Sequence, residues 1–284
     1  MSGEIEHVTD TAFWVASFRA LESERPDAAF KDPLAALLAG EKGRKIAESM
    51  AGARLMGFIM VVRTTAIDKL ILSALERGVD TVLNLGAGLD TRPYRMALPT
   101  SLRWFEADFP STITFKNDKL AAEQPRCALE RIAVDLTDRA ARQALLARVC
   151  QDARRVLVLT EGVINYLHDD EAARLAEDLH AQPAIEYWIQ DYYSEQARRR
   201  RPAWRKKMKA APFLFNAPDW FDFFEKRGFR VLEKIGVGEE ATRIRRRPPL
   251  VIPRSLMMLA MLMMPKKLRV QAENSLGYVL LERS

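Results

Sequence analysis

Apolar residues recur at helical spacing through the first eighty positions, and the pattern then changes to short β-rich runs. The segment TDTAFWVASFRALESE, residues 9–24, predicts a helix with Thr9 or Asp10 as its cap. KDPLAALLAG predicts a second helix, with Asp32 as cap, Pro33 at the first helical position and Gly40 as its stop. A third covers roughly residues 43–50, and a longer one runs over about 53–76 and ends at Gly78. Seven strand-like runs follow, at residues 81–86, 103–108, 129–136, 154–162, 185–193, 229–236 and 276–283. The VLVLT of the fourth is a continuous apolar run, as in a strand buried on both faces. Helical patterns at 138–150 and 169–180 lie between strands. This alternation predicts an α/β protein with a doubly wound, mostly parallel, seven-stranded sheet. Residues 1–80 form an N-terminal helical cap in this reading, and residues 81–284 the core. The stretches at about 194–218 and 236–274 read as insertions near the last strands, a common place for lids and substrate loops.

Composition narrows the class. Of 284 residues, 48% are hydrophobic and 29% charged, which suits one large globular core. Two cysteines, Cys127 and Cys150, cannot build a disulfide framework, and reduced, buried thiols fit a cytoplasmic protein. The polar start MSGEIEHVTD has neither the basic nor the apolar region of a secretory signal. The most apolar segment, SLMMLAMLMM at 255–264, is about half a bilayer span. The formal charge of +6 comes partly from basic clusters at 197–209 and 243–249. Such blocks can bind nucleic acid or an anionic membrane surface, but a solvated surface is the preferred reading, and Pro202 argues against one long basic recognition helix.

The stretch VLNLGAGLDTRPYR, residues 82–95, carries the first chemical signal. A strand that breaks into a glycine turn and restarts as a helix brings backbone N–H groups close to a ligand. In doubly wound sheets that ligand sits at the carboxyl ends of the strands. Here the first predicted strand ends at Gly86-Ala87-Gly88, and the next three reach Asp108, Asp135 and Glu161-Gly162. Asp108 follows Gly86 by 22 residues, near the spacing at which an acid reaches ribose hydroxyls. Two features disfavour a dinucleotide: Thr91 replaces the third glycine of the fingerprint, and Asp90 places an anion where a pyrophosphate would sit. A ligand with adenosine, a positive centre and an amino-acid tail fits better, and S-adenosylmethionine has all three. A tight turn with Asp90 as a helix cap is the plainer alternative.

LNLGAGLDTRPYR, followed by FEADFP, VDL and LTEGVINYL, resembles the leucine carboxyl methyltransferase family, and more closely its bacterial polyketide O-methyltransferase branch, of tetracenomycin type. The N-terminal TDTAFWVASFRALESERPDAAFKDPLAALLAG is similar to that branch too, so the resemblance covers residues 8–162, with the closing GYVLLER weaker. It implies a class I, Rossmann-like methyltransferase that uses S-adenosyl-L-methionine. It further implies that Arg63 meets the cofactor carboxylate, a task suited to a guanidinium fork. By the same resemblance, Gly86 and Gly88 line the methionine part, Asp108 takes the ribose, Asp135 and Leu136 hold the adenine, and Glu161 faces the amino group. Trp14, with Thr11 and Arg19, lies in the region that covers the cofactor and helps form the substrate pocket, and Tyr166 and Asn165 follow Glu161 near the same pocket. Structural alternatives stay open: Arg63 on a helix surface, Asp135 capping the next helix (a role Thr137 or Asp138 could also fill), Thr11, Trp14 and Arg19 as helix surface and core, a structural role for Asn165 and Tyr166, and Asp90, Thr91 and Arg92 holding the turn.

Methyl transfer is an in-line displacement in which positioning supplies much of the acceleration. A carboxylate acceptor is ionised at neutral pH and needs no base, whereas a phenol or alcohol wants one. Only His7, His168 and His180 are present, none in an evident catalytic setting, and no catalytic residue is assigned. The same scarcity, without a close-spaced Cys/His set, argues against a metal. The expected activity is therefore O-methyl transfer to a small-molecule acceptor, a polyketide-like carboxylate before a hydroxyl. A methyltransferase for protein or peptide C-terminal carboxyls, and a nucleic-acid-binding protein, are the alternatives. The methionines at 257–264 are read as a flexible apolar wall of the acceptor site or core helix, ahead of a membrane-surface patch.

Overall fold

Seven strands in the spatial order β3-β2-β1-β4-β5-β7-β6 form the centre of the computed structural model, which describes residues 10–49, 53–194, 212–249 and 275–284. They are β1 (Thr81–Leu85), β2 (Arg103–Asp108), β3 (Ala128–Ala133), β4 (Val156–Thr160), β5 (Ile185–Tyr193), β6 (Phe229–Gly236) and β7 (Leu276–Arg283). β1 to β5 pair in parallel. β7 enters antiparallel between β5 and β6. Strand order reverses beside β1, which lies between β2 and β4 and so creates a crevice at the carboxyl end of the sheet.

Two apolar layers cover the sheet. Helix α3 (Ala53–Glu76) lays Val62, Ala66, Leu70 and Ile71 against Val82, Trp104, Leu157 and Ile189 on one face. The other face packs on α6 (Arg139–Cys150), α7 (Asp169–His180) and the short α8 (Trp220–Glu225), through Leu146, Leu179 and Phe224 against Phe105, Val158 and Trp188. β1 and β4 are buried along their whole length, as the unbroken apolar run of β4 implies. Each fully buried leucine contributes about 1.5–3 kcal/mol of transfer free energy. α9 (Val237–Arg243) follows β6 and adds Ala241 to the α3 layer.

Helices α1 (Asp10–Glu24) and α2 (Ala35–Ser49) pack together and lie over the glycine turn. Ala16, Leu34 and Leu38 meet Leu89 of that turn, which leads into the short α4 (Arg92–Arg95), and Leu120, which follows α5 (Pro110–Lys119). Trp14 and Phe18 meet Ile46 of α2 and Met60 of α3.

Gly40 breaks the helical path as expected: its φ of 55° and ψ of −162° are non-helical, and α2 is two helical segments meeting at that kink. Several other expectations change here. Asp32 does not cap α2. Its Oδ2 accepts from Arg19 Nε at 2.8 Å and Thr91 Oγ1 at 2.6 Å, so the carboxylate ties α1 to the turn after β1. β3 stops at Ala133, and β4 covers only Val156–Thr160, so Val134 to Leu136 and Glu161-Gly162 lie in the turns that follow. Asp138, rather than Asp135, caps α6 by accepting from the N–H groups of Ala140 and Ala141. The basic cluster at 197–209 and the methionines at 257–264 lie outside the described residues, as do Thr9 and His7.

Candidate active site

A cavity of about 740 Å³ opens at the carboxyl ends of β1, β2, β4 and β5 under α1 and α3. All nine residues expected from sequence border it: Trp14, Arg63, Gly86, Gly88, Asp108, Asp135, Leu136, Glu161 and Tyr166. Thr11, Arg19 and Asn165 border it as well.

Its floor is backbone. Gly86 has φ 68°, and a Cβ there would stand 2.6 Å from Val163 Cγ2, so an added side chain is strained in the backbone and must displace the Val163 side chain. A Cβ on Gly88 would come within 3.2 Å of Ala12. The Gly88 N–H donates to Asp108 Oδ2 at 2.7 Å, and the Phe109 N–H donates to Oδ1 at 2.7 Å. Each Asp108 oxygen keeps a second lone pair for a further donor. Asp135 is exposed and accepts from the Thr137 N–H and hydroxyl at 2.9 and 2.7 Å.

A buried charge network forms one wall. Arg92 Nε donates to Asp68 at 2.7 Å, and its Nη1 donates to Asp90 at 2.8 Å and to Glu161 Oε2 at 2.7 Å. Arg95 grips both oxygens of Asp68. The Asp90 carboxylate also takes the Arg92 N–H and the Asn84 amide. These residues hold the turn after β1, the structural alternative raised by the sequence. Burial opposes the charge on Asp90, yet Arg92, Arg95, Lys116 and Arg19 outweigh it and hold the carboxyl well below its ordinary range. Glu161 is depressed too: burial raises it, and Arg92 and Arg63 more than offset that.

Arg63 faces the network from α3. Its Nε lies 2.7 Å from Glu161 Oε1 as an ion pair, but this buried N–H is not aligned into a hydrogen bond. The Trp14 Nε1, also bordering the cavity, is buried without a hydrogen-bond partner. Both donors suit a ligand that brings acceptor oxygens.

Asp191 was not anticipated. It sits on β5, is 2% exposed, and accepts from the Gly162 N–H at 2.8 Å and from Asn165 Nδ2 at 2.6 Å. Burial pushes its carboxyl above the ordinary range, only partly offset by Arg63 and the Gly162 N–H. Asp68 was missed as well. No local motif marks either residue, because the partners of each lie far along the chain. The far end of the cavity is aromatic and aliphatic: Tyr166 and Phe213 meet at 5.3 Å between centroids, with Tyr193, Met56, Ile59 and Leu276 nearby.

Among the described residues no His/Cys/Asp/Glu cluster could hold a metal ion, and no helix is long and apolar enough to cross a membrane. In the second basic cluster Arg243 pairs with Glu240, and Arg246 with Glu22 and Asp27. Cys127 and Cys150 are free thiols, each pushed up to about 11 by burial.

The strand order, the single antiparallel insertion of β7 and the cavity at the parallel strand ends define a class I methyltransferase fold. Solved structures agree on the fold. A DUF574 family protein from Streptomyces avermitilis superposes with TM-score 0.57 at 15% identity, over 95% of this chain and 97% of that one. A protein from Thermobifida fusca YX, titled "putative methyltransferase", gives 0.54 at 12% identity, over 99% and 96%. The sequence profile described as leucine carboxyl methyltransferase matches residues 12–180, and the chain belongs to that family. Relatives carry the name "Putative S-adenosyl-L-methionine-dependent methyltransferase". One from Streptomyces coelicolor is 37% identical over 198 residues, 65% of this chain and 70% of its own. Another, from Saccharopolyspora erythraea, is 32% identical over 257 residues, 83% and 88%.

Proposed function

We propose that this S-adenosylmethionine-dependent methyltransferase transfers the methyl group to an oxygen of a small-molecule acceptor, a polyketide-like carboxylate before a hydroxyl. The observation that carries the reading is the gathering of Arg63, Gly86, Gly88, Asp108 and Glu161 around one cavity. The fit to the cofactor rests on the crowded glycine floor and the unaligned Arg63 N–H. In this reading Arg63 takes the cofactor carboxylate, Glu161 the ammonium, Asp108 the ribose diol, and Asp135 with Leu136 the adenine. When bound, the cofactor supplies an electrophilic methyl: the acceptor oxygen forms the new O–C bond as the C–S bond breaks and its electron pair stays on sulfur.

The chain's own residues position and desolvate. Trp14 and Tyr166 border the acceptor end. The cavity volume is of small-molecule size, which supports a metabolite over a folded protein as acceptor. A cytoplasmic location fits the two free thiols.

The test uses methyl-labelled S-adenosylmethionine with three acceptor sets: aromatic carboxylic acids, matched phenols, and peptides with free C-termini. Label in an alkali-labile ester of the small acids, released as methanol, is expected. Alkali-stable ethers would move the acceptor to hydroxyls, and labelled peptides alone would overturn the small-molecule reading.

A further inference from the structure

Pairing off the charges around the cavity leaves a remainder. Arg63 and Arg92 are matched by Glu161 and Asp90, Arg19 by Asp32, and Arg95 by Asp68. Among the described residues, the buried cavity acids held by neutral donors alone are Asp108 and Asp191. Asp108 has an assigned role at the end of β2. Asp191 has none.

Its placement is specific. Thr160 pairs with Gln190, so Glu161 and Asp191 leave neighbouring strands side by side. Two residues on, along the same face of β5, Tyr193 also borders the cavity. Asp191 therefore stands where the lining passes from charged (Arg63, Asp90, Glu161) to aromatic and aliphatic (Tyr166, Tyr193, Phe213). That boundary is where a cofactor bound at the charged end would hand its methyl to an acceptor bound at the apolar end. Asp191 takes its hydrogen bonds from neutral donors and feels Arg63 only through space, which offsets its burial in part, so an incoming cation gains more there than beside Glu161, which lies between two guanidinium groups.

We propose that Asp191 is the counter-charge for the cofactor sulfonium, and that it makes this cavity hold S-adenosylmethionine more tightly than S-adenosylhomocysteine. The inference rests on the methyltransferase reading above and assigns the discrimination to one residue. The methylated cofactor carries one net positive charge, from sulfonium and ammonium against one carboxylate. The demethylated product is a neutral thioether with no net charge. Transfer thus removes the charge that would complete the compensation of Asp191, which Arg63 supplies only in part, and the product is held less firmly than the cofactor it came from. Asp191 acts here as a binding residue and needs to move no proton.

Calorimetry without acceptor tests this on the wild type and on Asp191→Asn and Asp191→Glu, with both ligands. The wild type is expected to bind S-adenosylmethionine about tenfold more tightly than S-adenosylhomocysteine, the scale of a unit-charge attraction across several ångströms of partly screened protein. Asp191→Asn should weaken S-adenosylmethionine by about tenfold while leaving S-adenosylhomocysteine within about twofold, and Asp191→Glu should keep the preference. Equal losses for both ligands would mean that Asp191 only holds the turn at Gly162 and Asn165, which overturns the proposal. A wild type that binds both ligands equally, or prefers the product, overturns it without any variant having to fold. Binding of neither ligand to the wild type would instead refute the cofactor assignment itself.

Discussion

Replacing Gly86 by alanine separates two costs that the structure lets one estimate independently. The first is backbone: φ at Gly86 is 68°, and an L-residue in the left-handed region costs roughly 1–2 kcal/mol. The second is steric: the new Cβ would stand 2.6 Å from Val163 Cγ2, far inside normal carbon contact, and overpacking of this kind costs about 1–3 kcal/mol. The total loss expected for Gly86→Ala is about 2–5 kcal/mol. Gly78→Ala isolates the first cost, since φ there is 89° and the nearest atom to its Cβ would be Arg155 Nη1 at an ordinary 3.5 Å. Val163→Ala combined with Gly86→Ala relieves the second, so the double variant should recover about 1–3 kcal/mol relative to the sum of the singles. Urea denaturation followed by tryptophan fluorescence gives the cycle. Calorimetry on the folded fraction should show weakened S-adenosylmethionine binding for Gly86→Ala, because Val163 stands two residues after Glu161. Gly86→Ala no costlier than Gly78→Ala, or strict additivity with Val163→Ala, would refute the reasoning.

Two further outcomes follow from the charge network. Arg92→Met leaves Asp68, Asp90 and Glu161 without their shared guanidinium, and a loss of about 3–5 kcal/mol in urea denaturation is expected; a loss below about 1 kcal/mol would show the network to be dispensable. Asp68, Asp90 and Glu161 have folded-state pKa values below their unfolded ones, so the stability they contribute is present above the ordinary carboxylate range and lost as pH falls through the depressed values. Asp191, shifted the other way, opposes part of this trend. The urea midpoint should therefore hold steady near neutrality and fall below about pH 4. A midpoint unchanged down to about pH 3 would contradict the signs.

The parts of the fold legible in the sequence are those fixed by local pattern. β1 and β4 are mostly apolar and buried along their length because both faces are covered, and α7 begins where three acids follow His168. α5 was not expected, and the reason is chemical. PSTITFKNDK has little apolar periodicity, and the helix buries Lys116, whose ammonium lies 2.8 Å from the equally buried Glu106 of β2. No reading of spacing predicts that a lysine will face inward. The end of β3 was overextended because Val134 continues the apolar alternation. Its N–H still reaches the Asp108 carbonyl at 2.9 Å, but the strand pairing stops with Ala133.

At the site, strand-end residues could be read because position after an apolar run implies placement at the crevice. The elements that join the wall from elsewhere could not. Asp68 lies in the middle of α3 and meets Arg92 and Arg95 only once that helix is docked on the sheet. Asp191 follows Gln190 in a strand whose register against β4 and β7 is set by the whole sheet. Asp32 looks like a helix cap in isolation and becomes a strut between α1 and the glycine turn in the fold.

The position of β7 has a consequence for how the chain is made. Among the described residues β6 pairs with the sheet only through β7, the last of the described strands in chain order. While a ribosome is still adding residues 237–275, neither β5 on that flank nor β6 has a partner among the described strands. The parallel half can assemble in the order of its synthesis, whereas the antiparallel edge must wait for its middle member. Until then β5 and β6 both display open strand edges, a state that favours chaperone capture or mispairing with a neighbouring nascent chain.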